Sequence, residues 1–203
     1  MRASMIKILL VDDHDLVRHG IKRLLSDVQG MQVIAEATSG EEATDVAKTL
    51  TPDIVLMDVK MEGIGGLEAI KRIIRQNPKI RIIAVTILGD EPFPSRVLQA
   101  GASGYITKNA KVSEMITAIQ TVYSGKKYIS PEVAQQMALK HLDDKAKNPI
   151  DLVSEREMQI LLMITSGQKV NEIADKLCLS PKTVNSYRYR LFEKLEVDSD
   201  VEL

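Results

Sequence analysis

The 203 residues carry a net charge of −1, with 44% hydrophobic and 27% charged side chains, the ordinary balance of a globular chain with room for one large or two small domains. No apolar run approaches the ~20 residues of a membrane span, and the start, Met1-Arg2-Ala3-Ser4, lacks the apolar core of a signal peptide. A single cysteine, Cys178, rules out an intramolecular disulfide and fits a reducing cytoplasm; its neighbours Leu177 and Leu179 predict a buried structural thiol.

From the amino end, Ile6 to Val11 is an apolar strand that ends in a carboxylate pair, Asp12-Asp13. Leu16, Val17, Ile21, Leu24, Leu25 and Val28 follow with helical spacing, predicting one buried stripe closed by Gly30. Met31 to Glu36 reads as a second strand and Glu41 to Leu50 as a helix. After the turn Thr51-Pro52-Asp53, Ile54 to Asp58 reads as a strand buried on both faces, with one acidic side chain at its carboxyl end. Leu67, Ile70, Ile73 and Ile74 mark the next helix, Asn77-Pro78 stops it, and Ile80 to Val85 is a fourth strand ending at Thr86. A helix beginning at Pro92 or Pro94 runs to Ala100, and Gly104-Tyr105-Ile106 is a brief fifth strand ending near Lys108. Val112, Met115, Ile116, Ile119 and Val122 give a last amphipathic helix before Gly125. Strands alternating with helices predict an α/β fold over residues 5–125, a doubly wound parallel sheet of five strands. Right-handed crossovers place Asp12, Asp58, Thr86 and Lys108 on one edge, where open sheets of this kind do their chemistry.

Ser130-Pro131 opens a lone helix, Glu132 to Leu142, and the polar run Asp143 to Pro149 reads as a linker, so that residues 126–149 join two domains. Residues 150–203 show helical periodicity only. Ser154-Glu155-Arg156-Glu157 is a capping box ahead of Met158, Leu161, Leu162 and Ile164. Val170 to Leu177 is a short helix with Ile173, Ala174 and Leu177 inward. Ser180-Pro181 starts another that runs to about Leu195, with Val184, Leu191 and Leu195 as core. Two helices across a tight turn suit a small all-α helix-turn-helix domain. The region is acidic overall, at −3, which is unusual for a nucleic-acid binder. Between Ser180 and Lys194, however, four bases (Lys182, Arg188, Arg190, Lys194) face one acid, Glu193, and such a helix can contact phosphates.

Asp12, Asp13 and Asp58 brought together repel strongly unless a cation sits among them, and hard carboxylate oxygens select Mg²⁺. A carboxylate beside Mg²⁺ can attack a phosphoryl group; Lys108 and Thr86, at the two remaining strand ends, supply the positive charge and hydroxyl such a transfer needs. The bland alternatives are that Asp12 and Asp13 cap the following helix and that Lys108 is a solvated lysine. Two further readings of the chain stay open. One is a phosphatase with an Asp nucleophile, which would want a general acid where Lys60 stands; the other is a helical output that binds protein instead of DNA.

Val11-Asp12-Asp13-His14, Leu56-Met57-Asp58, Val85-Thr86 and Gly104-Tyr105-Ile106-Thr107-Lys108 resemble the receiver domain of two-component response regulators, a flavodoxin-like fold. The resemblance implies phosphoryl transfer from a sensor histidine kinase onto Asp58. It also implies Mg²⁺ held by Asp13, Asp58 and the backbone carbonyl of Lys60, with Asp12 acting through water. Lys108 and Thr86 would bind the phosphoryl oxygens, and Tyr105 falls at the family's switch aromatic; the residues alone read it as half-buried. The chain departs from the family pattern in Met61-Glu62-Gly63, where Pro is common in place of Glu62. Losing that proline is expected to loosen the loop.

Leu152 to Glu157, Asn171-Glu172-Ile173-Ala174 and Leu179 to Val184 resemble the LuxR/FixJ-type DNA-binding domain. With the receiver, this is the NarL/FixJ class of regulator. The runs Gly167 to Ile173 and Ser180 to Arg190 are most similar to its GacA/UvrY/LetA branch. That likeness implies a BarA/GacS/LetS-type kinase as partner, promoter DNA of small regulatory RNA genes as target, and a homodimer on activation. Asn185, Ser186 and Tyr189 would face base edges, with Lys182, Thr183, Tyr187, Arg188, Arg190 and Lys194 on phosphates or in positioning roles. The family continues past Leu203 into a fourth helix that carries the DNA-bound dimer contact, and the sequence stops there. The resemblance further leads us to expect that the unphosphorylated receiver masks the recognition helix.

Overall fold

A computed structural model describes residues 5–86, 93–142, 149–200 and 202–203. Strands β1 (Ile6–Val11), β2 (Met31–Ala37), β3 (Ile54–Asp58), β4 (Arg81–Thr86) and β5 (Gly104–Thr107) alternate with helices α1 (Asp15–Ser26), α2 (Gly40–Leu50), α3 (Gly65–Gln76), α4 (Phe93–Gln99) and α5 (Val112–Tyr123). All pairings are parallel, in the order β2-β1-β3-β4-β5-β6. The sheet thus has six strands where five were expected. The sixth, β6 (Tyr128–Ile129), adds two residues to the edge beside Gly104 and Tyr105. So short a strand leaves no periodicity to read.

Each central strand is apolar on both faces because both are covered. Ile8 and Leu10 of β1 point to α1 and α5, joined by Ile54, Leu56, Ile83 and Ile106. Leu9 and Val11 point to α2 and α3, joined by Val55, Met57 and Ile82. The stripe predicted for α1 is corrected. Ile21 and Leu25 are buried, but Leu16 is 87% exposed and Leu24 44%, while Arg18 is buried in their place. The helix is rotated so that a guanidinium, satisfied by nearby acceptors, lies inward.

The chain continues through α6 (Pro131–Leu142), a short 3₁₀ turn (Pro149–Leu152), α7 (Glu155–Thr165), α8 (Val170–Leu177) and α9 (Pro181–Leu195). Pro92 and most of the expected linker, residues 143–148, lie outside the described residues. The capping box forms as read: Ser154 Oγ accepts from Glu157 N at 3.3 Å and Glu157 Oε2 from Ser154 N at 2.8 Å. Ile173, Ala174, Leu177, Val184 and Leu191 are buried together, with Leu195 packed against them. Cys178 is exposed rather than buried. It closes α8 in the left-handed conformation, φ 54°, and that geometry turns its side chain outward between two inward leucines. Among the described residues, no helix is long and apolar enough to cross a membrane.

α7 is buried on two sides. Met158 and Leu161 join the core of the helical part, while α7 also meets α3, and one apolar cluster runs across the junction. Two polar ties accompany it. Arg96 of α4 donates to the carbonyls of Ile150 (2.8 Å) and Val153 (2.6 Å), and Gln168 Nε2 donates to Gly63 O at 3.2 Å.

Candidate active site and nucleic-acid interface

Parallel strands that end at the same level bring their next residues together. Asp58 is the last residue of β3 and 3% exposed; Asp12 follows β1 and is 1% exposed. Lys108, just past β5, reaches both: its Nζ lies 2.7 Å from Asp58 Oδ2 and 2.8 Å from Asp12 Oδ2. Its amide donates to Thr86 O at 2.6 Å, which draws the ends of β4 and β5 together. Asp58 Oδ1 accepts from Lys60 N at 3.1 Å. Asp12 Oδ1 accepts from His14 N at 2.8 Å. His14 Nδ1 lies 2.7 Å from Asp13 Oδ1, although the imidazole is 65% exposed.

The electrostatics follow from this crowding. Burial pushes the Asp58 carboxyl above its usual range and Asp12 adds to the effect, against the opposing pull of Lys108 and the Lys60 amide. Burial would lower Lys108, but its hydrogen bonds to Asp12 and Asp58 outweigh that and hold the ammonium charged. Three carboxylates against one ammonium leave the pocket negative. Asp12, Asp13, His14 and Asp58 each offer a ligand atom within 4.8 Å of the others. Asp13 Oδ1 is buried, and apart from the close His14 Nδ1 of an exposed ring it has no aligned hydrogen-bond donor. The three carboxylates of that set, Asp12, Asp13 and Asp58, are hard oxygen donors short of counter-charge, which fits a small divalent cation.

The sequence-predicted residues Asp12, Asp13, Asp58, Lys60, Thr86 and Lys108 therefore come together. Tyr105 does not join the pocket. It is 3% exposed, deeper than the half-buried side chain its sequence position suggests, and lies in the cluster that includes Val133 and Ile129.

Three positions escaped sequence reading. Gly66 brings the start of α3 against the end of β3, where a Cβ would lie 2.1 Å from Asp58 O; the doublet Gly65-Gly66 was its only signal. Glu41 Oε1 accepts from Ile64 N at 3.1 Å, which ties down the loop after Asp58. With Met61 and Ile64 also buried, that loop is not the loose one expected from the missing proline. Arg18 is the third.

A cavity of about 550 Å³ opens over the pocket. Asp58, Lys60, Thr86 and Lys108 line one wall, and Leu162, Thr165 and Ser166 of α7 and its C-terminal end line another. The expected masking of the recognition helix is not what the arrangement shows. It is α7 that faces the α/β part, while Lys182, Ser186, Tyr189 and Arg190 on α9 are exposed. Those four lie on one side of the helix. Thr183, Asn185, Tyr187 and Arg188 are half-buried. Arg190 stacks over the Tyr187 ring at 4.5 Å, and Arg188 pairs with Asp200 at 2.5 Å. Lys194 is turned inward, 2.7 Å from the buried Glu157 carboxylate and 3.0 Å from Leu152 O. Its ammonium is engaged inside the helical part, so it is better described as a tie than as a phosphate contact.

Residues 8–120 match the family model of the response regulator receiver domain, and residues 151–203 match that of the bacterial regulatory proteins of the luxR family. The chain belongs to the two-component response regulators and regulates transcription, with a receiver domain joined to a LuxR-type DNA-binding domain. It is of the GacA and UvrY kind. It is 60% identical over 200 residues to the response regulator GacA of Pseudomonas syringae pv. syringae (strain B728a), covering 98% of this chain and 94% of that one. To the response regulator UvrY of Escherichia coli (strain K12) it is 54% identical, covering 98% and 92%. A solved structure of two RcsB dimers bound to two parallel DNAs aligns with a TM-score of 0.61 at 26% identity, covering 98% of this chain and 95% of that one.

Proposed function

We propose that Asp58 is the phosphoacceptor of this regulator and that its phosphorylation by a sensor histidine kinase of the BarA/GacS/LetS type controls dimerisation and promoter binding. The targets on this reading are genes of small regulatory RNAs, and the protein works in the cytoplasm. The receiver would span residues 5–125 and the DNA-binding domain residues 150–203, joined by residues 126–149.

The observation that carries the reading is the Asp58 carboxylate at a strand end, 2.7 Å from a partly buried ammonium and among carboxylates that lack enough counter-charge. Asp58 attacks the phosphorus of a phosphohistidine; the P–N bond breaks, a P–O bond forms to the carboxylate, and the imidazole leaves. Asp13, Asp58 and the Lys60 carbonyl would hold Mg²⁺, with Asp12 bound through water; the ion would supply charge neutralisation for the transferring oxygens. Lys108 would pair with those oxygens, and Thr86 would donate its hydroxyl.

The cavity supports a route for the signal. A phosphoryl group on Asp58 adds bulk and charge where α7 forms the roof, so phosphorylation favours release of α7 and frees the DNA-binding domain to pair. The RcsB dimers on DNA support the paired end state. Lys182, Ser186, Tyr189 and Arg190 would meet the duplex first, with Asn185 nearest the base edges and Thr183, Tyr187 and Arg188 bracing it.

Incubation of the full chain with a small acyl phosphate and Mg²⁺, followed by peptide mass spectrometry, tests the first step. The label should fall on Asp58 and vanish with chelator. Equal labelling of Asp58→Asn would sink the assignment. Gel shift with genomic fragments at fixed salt tests the second, with treated wild type binding more tightly than Asp58→Asn.

A further inference from the structure

We propose that Arg18 is a positioning residue for the cation site: its guanidinium, anchored on Asp15 and Glu36, holds the carbonyl of Asp12 and thereby aims the carboxylate of Asp13. The inference rests on the reading of this pocket as a divalent-cation site.

Arg18 lies in the second turn of α1 and is 7% exposed, an unusual depth for an arginine. Its NH1 donates to Asp12 O at 2.7 Å. Its NH2 bonds the Asp15 carboxylate, and Nε lies 3.3 Å from Glu36 Oε2. Lys22 pairs with the other oxygen of Glu36 at 2.5 Å, so Glu36 is itself fixed. Burial would lower the Arg18 pKa, but these carboxylates more than offset that. The guanidinium is therefore a charged, many-partnered block set under the acidic turn.

The carbonyl it holds stands at a particular place. β1 pairs with both neighbours as far as Val11, and the Asp12 amide still donates to Ala37 O at 3.2 Å. Past that point the chain leaves the sheet, and Arg18 meets the Asp12 carbonyl from α1 where the ladder ends. A buried carbonyl with no donor costs free energy, and the turn would rotate to bring it to water.

That rotation matters because the two aspartates are steered differently. The Asp12 carboxylate has donors of its own in Lys108 and His14 N. Asp13 Oδ1 has no aligned hydrogen-bond donor, and its neighbour His14 Nδ1 belongs to a largely exposed ring. The Asp13 side chain therefore starts from a backbone position that the Asp12–Asp13 peptide plane fixes, and the Arg18 hydrogen bond to the Asp12 carbonyl holds that plane, while the exposed His14 ring is its other neighbour.

Mn²⁺ titration of the full chain, with the free aqua ion read by electron paramagnetic resonance, measures the effect without phosphorylation. Groups that orient ligands are worth roughly 10–100-fold in metal affinity, so Arg18→Gln should raise the half-saturating Mn²⁺ at least about tenfold. Glu36→Gln, which loosens the anchor but leaves a donor on Asp12 O, should lower the Tm without a comparable rise. Phosphorylation of Arg18→Gln at saturating Mg²⁺ should approach the wild-type rate, a loss in half-saturation and not in turnover. A wild-type half-saturation in Arg18→Gln overturns the proposal. So does an equal rise in both variants that tracks lost stability. If Arg18→Gln does not fold, Arg18→Lys carries the test. Lysine lacks the planar fork whose three separate nitrogens reach the carbonyl and both carboxylates, so a rise is expected and an unchanged value overturns the proposal. Failure of the wild type to take up Mn²⁺ would instead sink the reading of the pocket as a cation site.

Discussion

Lys108 Nζ bridges Asp58 Oδ2 at 2.7 Å and Asp12 Oδ2 at 2.8 Å, so one ammonium just past β5 is shared between carboxylates at the ends of β3 and β1. Removing it as Lys108→Gln leaves two buried carboxylates facing each other, and losing one partner of a buried pair costs about 3 kcal/mol or more. The loss should depend on pH. Asp58 already titrates above its usual range because it is buried, so its contribution to stability is full at low pH and falls as pH rises through the raised value. Without Lys108 that value rises further. In metal-free buffer the stability gap between Lys108→Gln and wild type should therefore narrow from pH 7 towards pH 4.5 in urea unfolding. A gap independent of pH would mean that Lys108 is not the counter-ion of these carboxylates.

Gly66 and Gly20 should respond oppositely to the same substitution. A Cβ at Gly66 would lie 2.1 Å from Asp58 O and 2.7 Å from Val59 Cα, both backbone atoms that cannot swing aside. Gly66→Ala should cost about 3 kcal/mol and shift the phosphoacceptor strand end. At Gly20, on the exposed side of α1, a Cβ meets nothing within 4 Å. Gly20→Ala should gain about 1 kcal/mol from helix propensity alone. Urea unfolding of the two variants reads both signs, and a tolerated Gly66→Ala would contradict the close approach.

The pocket was legible because each of its groups directly follows an apolar run: position in the chain gave position at the sheet edge. Asp12, Asp58, Thr86 and Lys108 needed only the parallel alternation to converge. What escaped was decided by distant partners. Arg18 looks like a surface residue until Glu36, on another element, and the Asp12 carbonyl are brought to it, while Leu16 and Leu24 look like core and are not. The inward turn of Lys194 depends on Glu157, 37 positions earlier, which the local charge count around α9 could not reveal. The two residues of β6 and the meeting of α7 with α3 leave no periodic trace at all.

Lys182 and Arg190 are exposed on one side of α9, Arg190 with only a long 3.8 Å ion pair to Glu157, whereas Lys194 is tied to Glu157 at 2.7 Å and to Leu152 O. Lys182→Ala and Arg190→Ala should each weaken binding to unrelated DNA sequences alike and reduce the salt slope of the association constant by about 1. Lys194→Ala should leave the slope near the wild-type value and lower the stability of the helical part by about 3 kcal/mol, because Glu157 stays buried without its ammonium. Fluorescence anisotropy across a salt series, run beside thermal unfolding, separates the two outcomes. A slope change in Lys194→Ala with no loss of stability would return that residue to the DNA face.

Glu157 should make the helical part sensitive to acid. Burial alone would raise its carboxyl, but the hydrogen bonds from Lys194 and Ser154 outweigh it, and the group titrates below its usual range. A depressed folded-state pKa contributes stability above the unfolded-state value, and that contribution is lost as pH falls through the folded one. The unfolded value for glutamate is about 4.3, so the loss should begin below that pH. NMR signals from α7 and α9, followed through urea unfolding, should show the wild type losing more stability between pH 6 and pH 3 than Glu157→Gln. At pH 6 the variant should be the less stable of the two, because an amide cannot answer the Lys194 ammonium as a carboxylate does. Parallel stability curves for the two proteins would show that this buried carboxylate is not what couples the helical part to acid.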